Sequence, residues 1–409
     1  MEVRYPRCAG LDVHKKMVVA AIRIADGRPV RTAVRQFATT TTALGALLDW
    51  LVAEEVTHVA LEATGVYWKP VWHVLEDAVE LVLVNAAHVR QVPGRKSDVT
   101  DAQWLAELLA HGLLRGSFVP PAPVQELRDL TRTRKQLGRE LTQHNLRIQR
   151  VLEDANIKLG SVISEVLGVS GRAILNALVA GETDPERLAA AAKGRLKCAP
   201  EELVEALRGR VTAHHRFLIG QHLQMVDSLQ ARIAAFDAEI GRRLEPFPPV
   251  VERLTAIPGV SEVAAQAIVA ELGADMGRFP TVEQLRSWAG LCPRLDESAG
   301  KRRSTRIRKG APWLKAMLVQ CAKAAARAKG TYLQAQYQRL KSRRGGKKAA
   351  VAVAASILTA VYYMLRDDVA YRDLGADHFT RRDKVKIAHR LARRIQALGY
   401  EVAIQPLVA

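Results

Sequence analysis

Residues 7–37 read RCAGLDVHKKMVVAAIRIADGRPVRTAVRQF. Three apolar runs lie in this stretch: Arg7 to Val13, Met17 to Ile24 and Val30 to Phe37. Each has the length of a strand and falls short of a typical helix, and valine, isoleucine and alanine crowd the first two. Asp26 and Gly27 predict a hairpin turn between the second and third runs. Asp12 stands near the end of the first run. An acid closing an apolar strand has no capping job, and burying it requires a partner.

Working outward, Thr39 to Thr42 offer N-cap candidates for a helix through Glu54. Thr57 to Leu61 reads as a short strand ending at Glu62, Tyr67 to Asp77 as a helix, and Glu80 to Val84 as another strand. Asp98 to His111 is helical, with Gly112 at its end. Three consecutive strands followed by alternating helices and strands predict an α/β domain with a mixed sheet, in the order of an RNase H-like fold.

The run VPPAP at 119–123 marks a boundary. Beyond it Leu127, Leu130, Arg134, Leu137, Leu141, His144, Ile148 and Val151 fall three and four apart, a nearly heptad stripe broken by two polar positions. A second long helix is expected over Leu203 to Leu244, with Met225, Leu229, Ile233, Phe236, Ile240 and Leu244 on one stripe. Periodicity leaves open whether this helical arm is an internal hairpin or an intermolecular coiled coil. PFPP at 246–249 marks a second boundary, followed by LTAIPGV at 254–260 and a helix from Ser261 to Leu272. The expected organisation is an α/β domain over 1–123, a helical arm over 124–245, a mostly α C-terminal domain over 250–366 and a tail over 367–409. The tail carries a helix from Arg382 to Leu398, and no chemistry is assigned to it.

Ala349 to Leu365 is uncharged and near the lower length limit of a membrane span. Ser356, Thr359, Tyr362 and Tyr363 make it only weakly apolar, so it is read as a buried helix. With no signal-like N-terminal run and four widely spaced cysteines forming no C-x-x-C pair, a cytoplasmic protein without membrane contact is expected.

The net charge of +19 is unevenly spread. Met1 to Pro123 holds 13 Lys and Arg against 13 Asp and Glu, whereas Ser298 to Arg366 holds 17 Lys and Arg and no acid. Such a concentrated positive field points to a polyanion partner, and a merely solvated basic face would not explain the missing acids. With aromatic residues at 5%, an extended base-stacking platform is not expected, and Trp288 and Trp313 read as core residues.

Asp98 and Asp101 sit three apart at a helix start and share a helical face. Taken alone the pair reads as N-terminal capping, favoured by the helix dipole. Together with Asp12 and Glu62 it reads as a site for a hard divalent cation, Mg²⁺ (or Mn²⁺), which takes oxygen ligands. Two such ions can clamp the attacking and leaving oxygens of a phosphodiester.

The stretches GLDVHK at 10–15, LEATGVYW at 61–68 and KSDVTDA at 96–102 resemble the DEDD motif of the insertion-sequence transposases with a RuvC-like domain, the IS110 family. The likeness runs over nearly the whole chain. It implies that Asp12, Glu62, Asp98 and Asp101 are Mg²⁺ ligands. The stretch IPGV at 257–260 with the following helix is similar to a helix-hairpin-helix turn, although Ser261 stands where a second glycine is common. A purely structural turn accounts for it as well.

GLCPRLDESAGKRRSTRIRKG at 290–310 resembles the family's segment bearing a serine nucleophile. Ser298 matches that position and Ser304 is the runner-up. Serine needs a base and charge screening to attack a phosphate, and Lys301, Arg302, Arg303, Arg306, Arg308 and Lys309 supply cations for screening and nucleic-acid contact. The resemblance further implies strand exchange through a phosphoserine link, a structured guide RNA, and a homo-oligomer, dimer or tetramer. Two other functions compete: a RuvC-like junction endonuclease using metal-activated water, with Ser298 idle, and a nucleic-acid binder with a decayed site, against which the intact acids argue.

Overall fold

Five strands build the sheet of the first unit: β1 (Arg7–Val13), β2 (Met17–Ile24), β3 (Arg31–Ala38), β4 (His58–Glu62) and β5 (Glu80–Val84). Their spatial order is β3-β2-β1-β4-β5; β1, β2 and β3 pair antiparallel, while β1, β4 and β5 run parallel. The computed structural model describes residues 2–27, 29–63, 65–85, 98–194, 196–245, 248–293, 297–302, 304, 306–307, 310–382 and 384–405, except the side chains of 98–100, 248, 298, 302, 380, 382 and 386. It divides into two units, Met1–Val119 and Pro120–Ala409.

Both sheet faces are covered, which is why β1 and β2 read as continuous apolar runs rather than alternating ones. Leu11, Val13, Val18, Ala20, Val59 and Leu61 pack on Leu44, Leu47 and Leu51 of α1 (Thr41–Ala53) and on Val71 and Leu75 of α2 (Trp68–Leu75). The alternate residues Cys8, Ala60 and Val84 pack on Leu105, Leu108 and Leu109 of α3 (Asp98–Ala110). The turn expected at Asp26 and Gly27 differs: Ile24 pairs with Arg31, so the connection spans six residues. Asp26 instead forms an ion pair with Arg7 at the start of β1.

In the second unit α4 (Ala122–Asp154) lies against a later long helix. Four shorter helices intervene, α5 (Leu159–Val162), α6 (Val169–Ala180), α7 (Pro185–Ala190) and α8 (Pro200–Ala206), before α9 (Ala213–Leu244) returns along α4. The expected single helix over Leu203 to Leu244 is therefore two. Gly209 sits between them, where a side chain would strike the Ala155 carbonyl at 2.4 Å, and Thr212 with His215 forms a capping box that starts α9. The arm is an internal hairpin: Arg134 pairs with Asp237, Arg243 with Glu126, and His144 Nδ1 lies 3.2 Å from His222 Nδ1. The two polar positions in the predicted seam thus hold cross-helix contacts. Met225, placed on the predicted apolar stripe, is exposed instead.

The remainder is helical apart from one short hairpin: α10 (Pro248–Thr255), α11 (Glu262–Leu272), α12 (Val282–Trp288), β6 (Glu297–Ser298), β7 (Lys301–Arg302), α13 (Pro312–Ala325), α14 (Tyr332–Arg344), α15 (Gly346–Arg366), α16 (His378–Arg382) and α17 (Lys384–Gln396). Among the described helices α15 alone has the length and apolarity to cross a membrane. It packs on α10, α12, α13 and α14, burying Ala349, Val353, Ile357, Leu358 and Val361, and Tyr362 donates its hydroxyl to the Phe279 carbonyl at 2.9 Å. It is the core helix of this unit, as its weak hydropathy predicts. The arm is fixed by buried Glu271 on α11, which accepts a two-pronged bond from Arg132 at 2.7 and 2.8 Å.

Candidate active site

Asp12 belongs to the same sheet face as Cys8 and Gly10, because strand side chains alternate. In the parallel register Gly10 pairs with Ala60 and Leu11 with Leu61. One residue further on, Asp12 and Glu62 come side by side at the ends of adjacent strands, on the face crossed by α3, about 4.8 Å apart as neighbouring strands run.

Helix α3 runs against the direction of β1. The Cys8 thiol donates to the Ala106 carbonyl at 3.3 Å, and a Cβ at Gly10 would lie 2.1 Å from the Ala102 carbonyl. Two strand residues advance about 6.6 Å and four helix residues about 6 Å, so the next step sets Asp12 against the first turn of α3, residues 98–101. That turn carries Asp98 and Asp101. The Asp98 side chain lies outside the described residues. Among the described residues no three metal-binding side chains gather closely enough to hold an ion. The four acids singled out in the sequence offer carboxylate oxygens, the donor type that a hard cation such as Mg²⁺ takes.

Asp12 has one side chain beside it that the sequence reading did not single out. His14 Nε2 lies 3.0 Å from Asp12 Oδ2. The i,i+2 spacing in GLDVH was the available signal, since such residues share a strand face. Behind the site, burial pushes the Cys8 thiol up to about 11, so it stays protonated and packs as an apolar group.

In the second unit, Gly310 closes back on Gly290. A Cβ at Gly310, which has φ +53°, would strike Gly290 at 2.3 Å, and Ala311 N donates to the Trp288 carbonyl at 3.1 Å. Pro293 and Ile307 bridge above this neck. At the tip Ser298 pairs with Lys301 across a two-residue turn, in which Ala299 has φ +51° and Gly300 φ +71°. Positive φ at both central residues is the two-residue turn that matches strand twist. The Ser298 side chain lies outside the described residues. Ser304 is half-buried, and its hydroxyl accepts from Arg306 N at 3.2 Å, so the runner-up already holds a turn. Lys301 and Arg306 are exposed. The Arg302 side chain, Arg303, Arg308 and Lys309 lie outside the described residues.

The turn over Ile257 to Val260 is built into the core. A Cβ on Gly259, at φ +85°, would lie 2.4 Å from the amide of Ala325 and 2.5 Å from the carbonyl of Cys321. The glycine admits the end of α13, and Ser261 caps α11 by accepting from Ala264 N at 3.3 Å. Both observations favour the structural account of this turn. Trp313 is half-buried, with Arg132 and Arg139 over its ring at 5.7 and 5.3 Å.

Comparison with known families settles the class. Residues 9–157 match the DEDD-type transposases, and residues 251–338 match the Transposase IS116/IS110/IS902 family, so the chain is a transposase, an enzyme that recombines DNA. It belongs to the IS110 family of insertion-sequence transposases. No curated protein matches the chain.

Proposed function

We propose that this transposase has a RuvC-like, RNase H-like first domain that holds Mg²⁺ or Mn²⁺ on Asp12, Glu62, Asp98 and Asp101, and that Ser298 is its nucleophile. What supports the reading is the β1–β4 register, which ends two neighbouring strands at Asp12 and Glu62, together with the packing on that sheet face of α3, whose first turn carries Asp98 and Asp101. The strand order β3-β2-β1-β4-β5 supports the fold assignment.

In the step proposed, Ser298 Oγ attacks a DNA phosphorus. The Oγ–P bond forms as a bond from phosphorus to a deoxyribose oxygen breaks. The serine proton passes to a base and the leaving oxygen gains a proton. Attack on the phosphoserine by another strand's sugar hydroxyl reverses these changes and joins the new strand. One phosphodiester replaces another, so no energy-rich cofactor is consumed. Asp12, Glu62, Asp98 and Asp101 would hold the cation, which when bound would supply neutralisation of phosphate charge. Lys301, opposite Ser298, and Arg306 screen the charge of the phosphate that the serine attacks. His14 orients Asp12 through its 3.0 Å contact. By family resemblance the enzyme works as a homo-oligomer and takes its target from a structured guide RNA.

The test is a trapped covalent protein–DNA adduct. The adduct should form with the parent chain and vanish in Ser298→Ala while DNA binding persists. Loss of the adduct with strand hydrolysis intact would favour the junction-endonuclease mechanism. Survival of the adduct in Ser298→Ala would exclude that serine.

A further inference from the structure

The C-terminal tail lies beyond both family-matched stretches, and sequence reading gave it no chemistry. It is docked, not loose, against the start of α14. Asp373 Oδ1 accepts from Tyr332 N at 3.0 Å and from Gly375 N at 2.7 Å, and the Tyr371 hydroxyl donates to Asp373 Oδ2 at 3.2 Å. The Phe379 ring stacks on Tyr332 with centroids 5.1 Å apart, and the Arg339 guanidinium lies 4.8 Å from the centre of the Phe379 ring.

These contacts leave a cleft of about 970 Å³ between α14 and the tail helices. Arg339, Ser342 and Arg343 line one wall, and His389, Arg390 and Arg393 line the other. No carboxylate is among the described lining residues. The sequences of α14 and α17 contain no acid at all, YLQAQYQRLKSRR and KVKIAHRLARRIQ. Two basic helices that converge on a groove concentrate positive potential there. Guanidinium groups stay charged at any working pH, and their planar forks match phosphate oxygens. Arg339 and Arg343 are one helix turn apart, about 6 Å along the axis, and Arg390 and Arg393 about 4.5 Å. Two such rows suit a run of phosphates better than a single anion.

We infer that the cleft between α14 and the tail helix α17 is a clamp for the phosphodiester backbone of a nucleic acid, with Arg339, Arg343, Arg390 and Arg393 as its contacts. The inference rests on the chain being a DNA-recombining enzyme, and is independent of the carboxylate site and of Ser298.

The test measures binding of the full-length chain to duplex DNA and to duplex RNA of roughly 30 base pairs, as a function of salt. Each phosphate contact contributes about 0.9 to the slope of log affinity against log salt on B-DNA, so Arg390→Gln with Arg393→Gln should lower the slope by about 1.8. The affinity ratio of parent to variant then shrinks about twelvefold between 50 and 200 mM salt. Arg390→Lys with Arg393→Lys should keep most of the slope, which covers the case in which the glutamine pair fails to fold. The duplex whose slope falls identifies the nucleic acid held. Arg187→Gln with Arg208→Gln removes the same charge at exposed sites elsewhere and should leave the slope unchanged. An unchanged slope in the Arg390 and Arg393 variant overturns the inference, as does an equal fall in the Arg187 and Arg208 control. Loss of binding to phosphatidylserine vesicles with the nucleic-acid slope intact would overturn it in favour of a lipid surface. Adduct formation by Ser298 is read separately, so failure of the clamp and failure of the catalytic assignment are distinguishable.

Discussion

At Gly10 a methyl group would sit 2.1 Å from the carbonyl oxygen of Ala102 and 2.6 Å from the amide nitrogen of Ala106. Neither atom can yield, because both belong to the backbone of α3. The missing side chain is therefore what lets the helix descend onto β1. Gly10→Ala should cost about 1–3 kcal/mol through overpacking, and should also lift the turn bearing Asp98 and Asp101. Strand transfer should then fall more than stability predicts. Thermal unfolding and a plasmid recombination assay on the same preparation check this, and an unchanged melting temperature would contradict the packing argument. The sequence announced Asp12 and Glu62 because acids at the ends of apolar runs stand out. It did not announce the role of Gly10, since a glycine in a strand run gives no sign of which backbone will approach it.

The serine hairpin and the arm are decided at the level of elements. Ala299 sits at φ +51°, a region in which a residue with a Cβ is strained by roughly 1–2 kcal/mol. Ala299→Gly should relieve that strain and raise the melting temperature slightly while preserving adduct formation. Ala299→Val should break the turn and lower the adduct yield, as measured by denaturing gel. In the arm, burial first, then His144 and Arg147, lowers the pKa of His222. The unfolded chain then takes up a proton near its ordinary value of about 6.5 that the folded chain resists, so stability falls as pH drops through and below that value. Parent protein should lose more stability between pH 7.5 and 5.5 than His222→Gln, a difference that denaturant titration at the two pH values would measure. The strands were legible because runs of valine, isoleucine and alanine buried on both faces leave a plain pattern, and β1 and β2 lie where that pattern puts them. The break before α9 was not read, although Gly209 and the Thr212–His215 box carried the signal, because apolar spacing continued across it. The partner of the arm helices was illegible for a different reason: a heptad stripe is the same whether its mate lies in the same chain or another.

Over the whole molecule the charge is divided sharply. The first unit carries equal numbers of acidic and basic residues, so the net charge of +19 resides in the second. Affinity for a polyanion should therefore be carried chiefly by the second unit, while the proposed cation site lies in the first. Asp12→Asn combined with Glu62→Gln removes two negative charges without touching a basic residue. The salt slope of DNA binding should stay as in the parent, and affinity at low salt should hold or rise slightly, because a nearby phosphate meets less repulsion. Strand transfer should fall by at least about a hundredfold, on the order seen when a group acting only on the transition state is lost. Chelating divalent cations from the parent protein should reproduce that pattern, with binding retained and transfer lost, and Mg²⁺ or Mn²⁺ should restore it in the parent alone. Anisotropy titrations and plasmid recombination assays run in parallel measure the two quantities. Binding and transfer falling together would mean that the acids hold the fold rather than the metal, and undiminished transfer in the double variant would remove the carboxylate site from the mechanism.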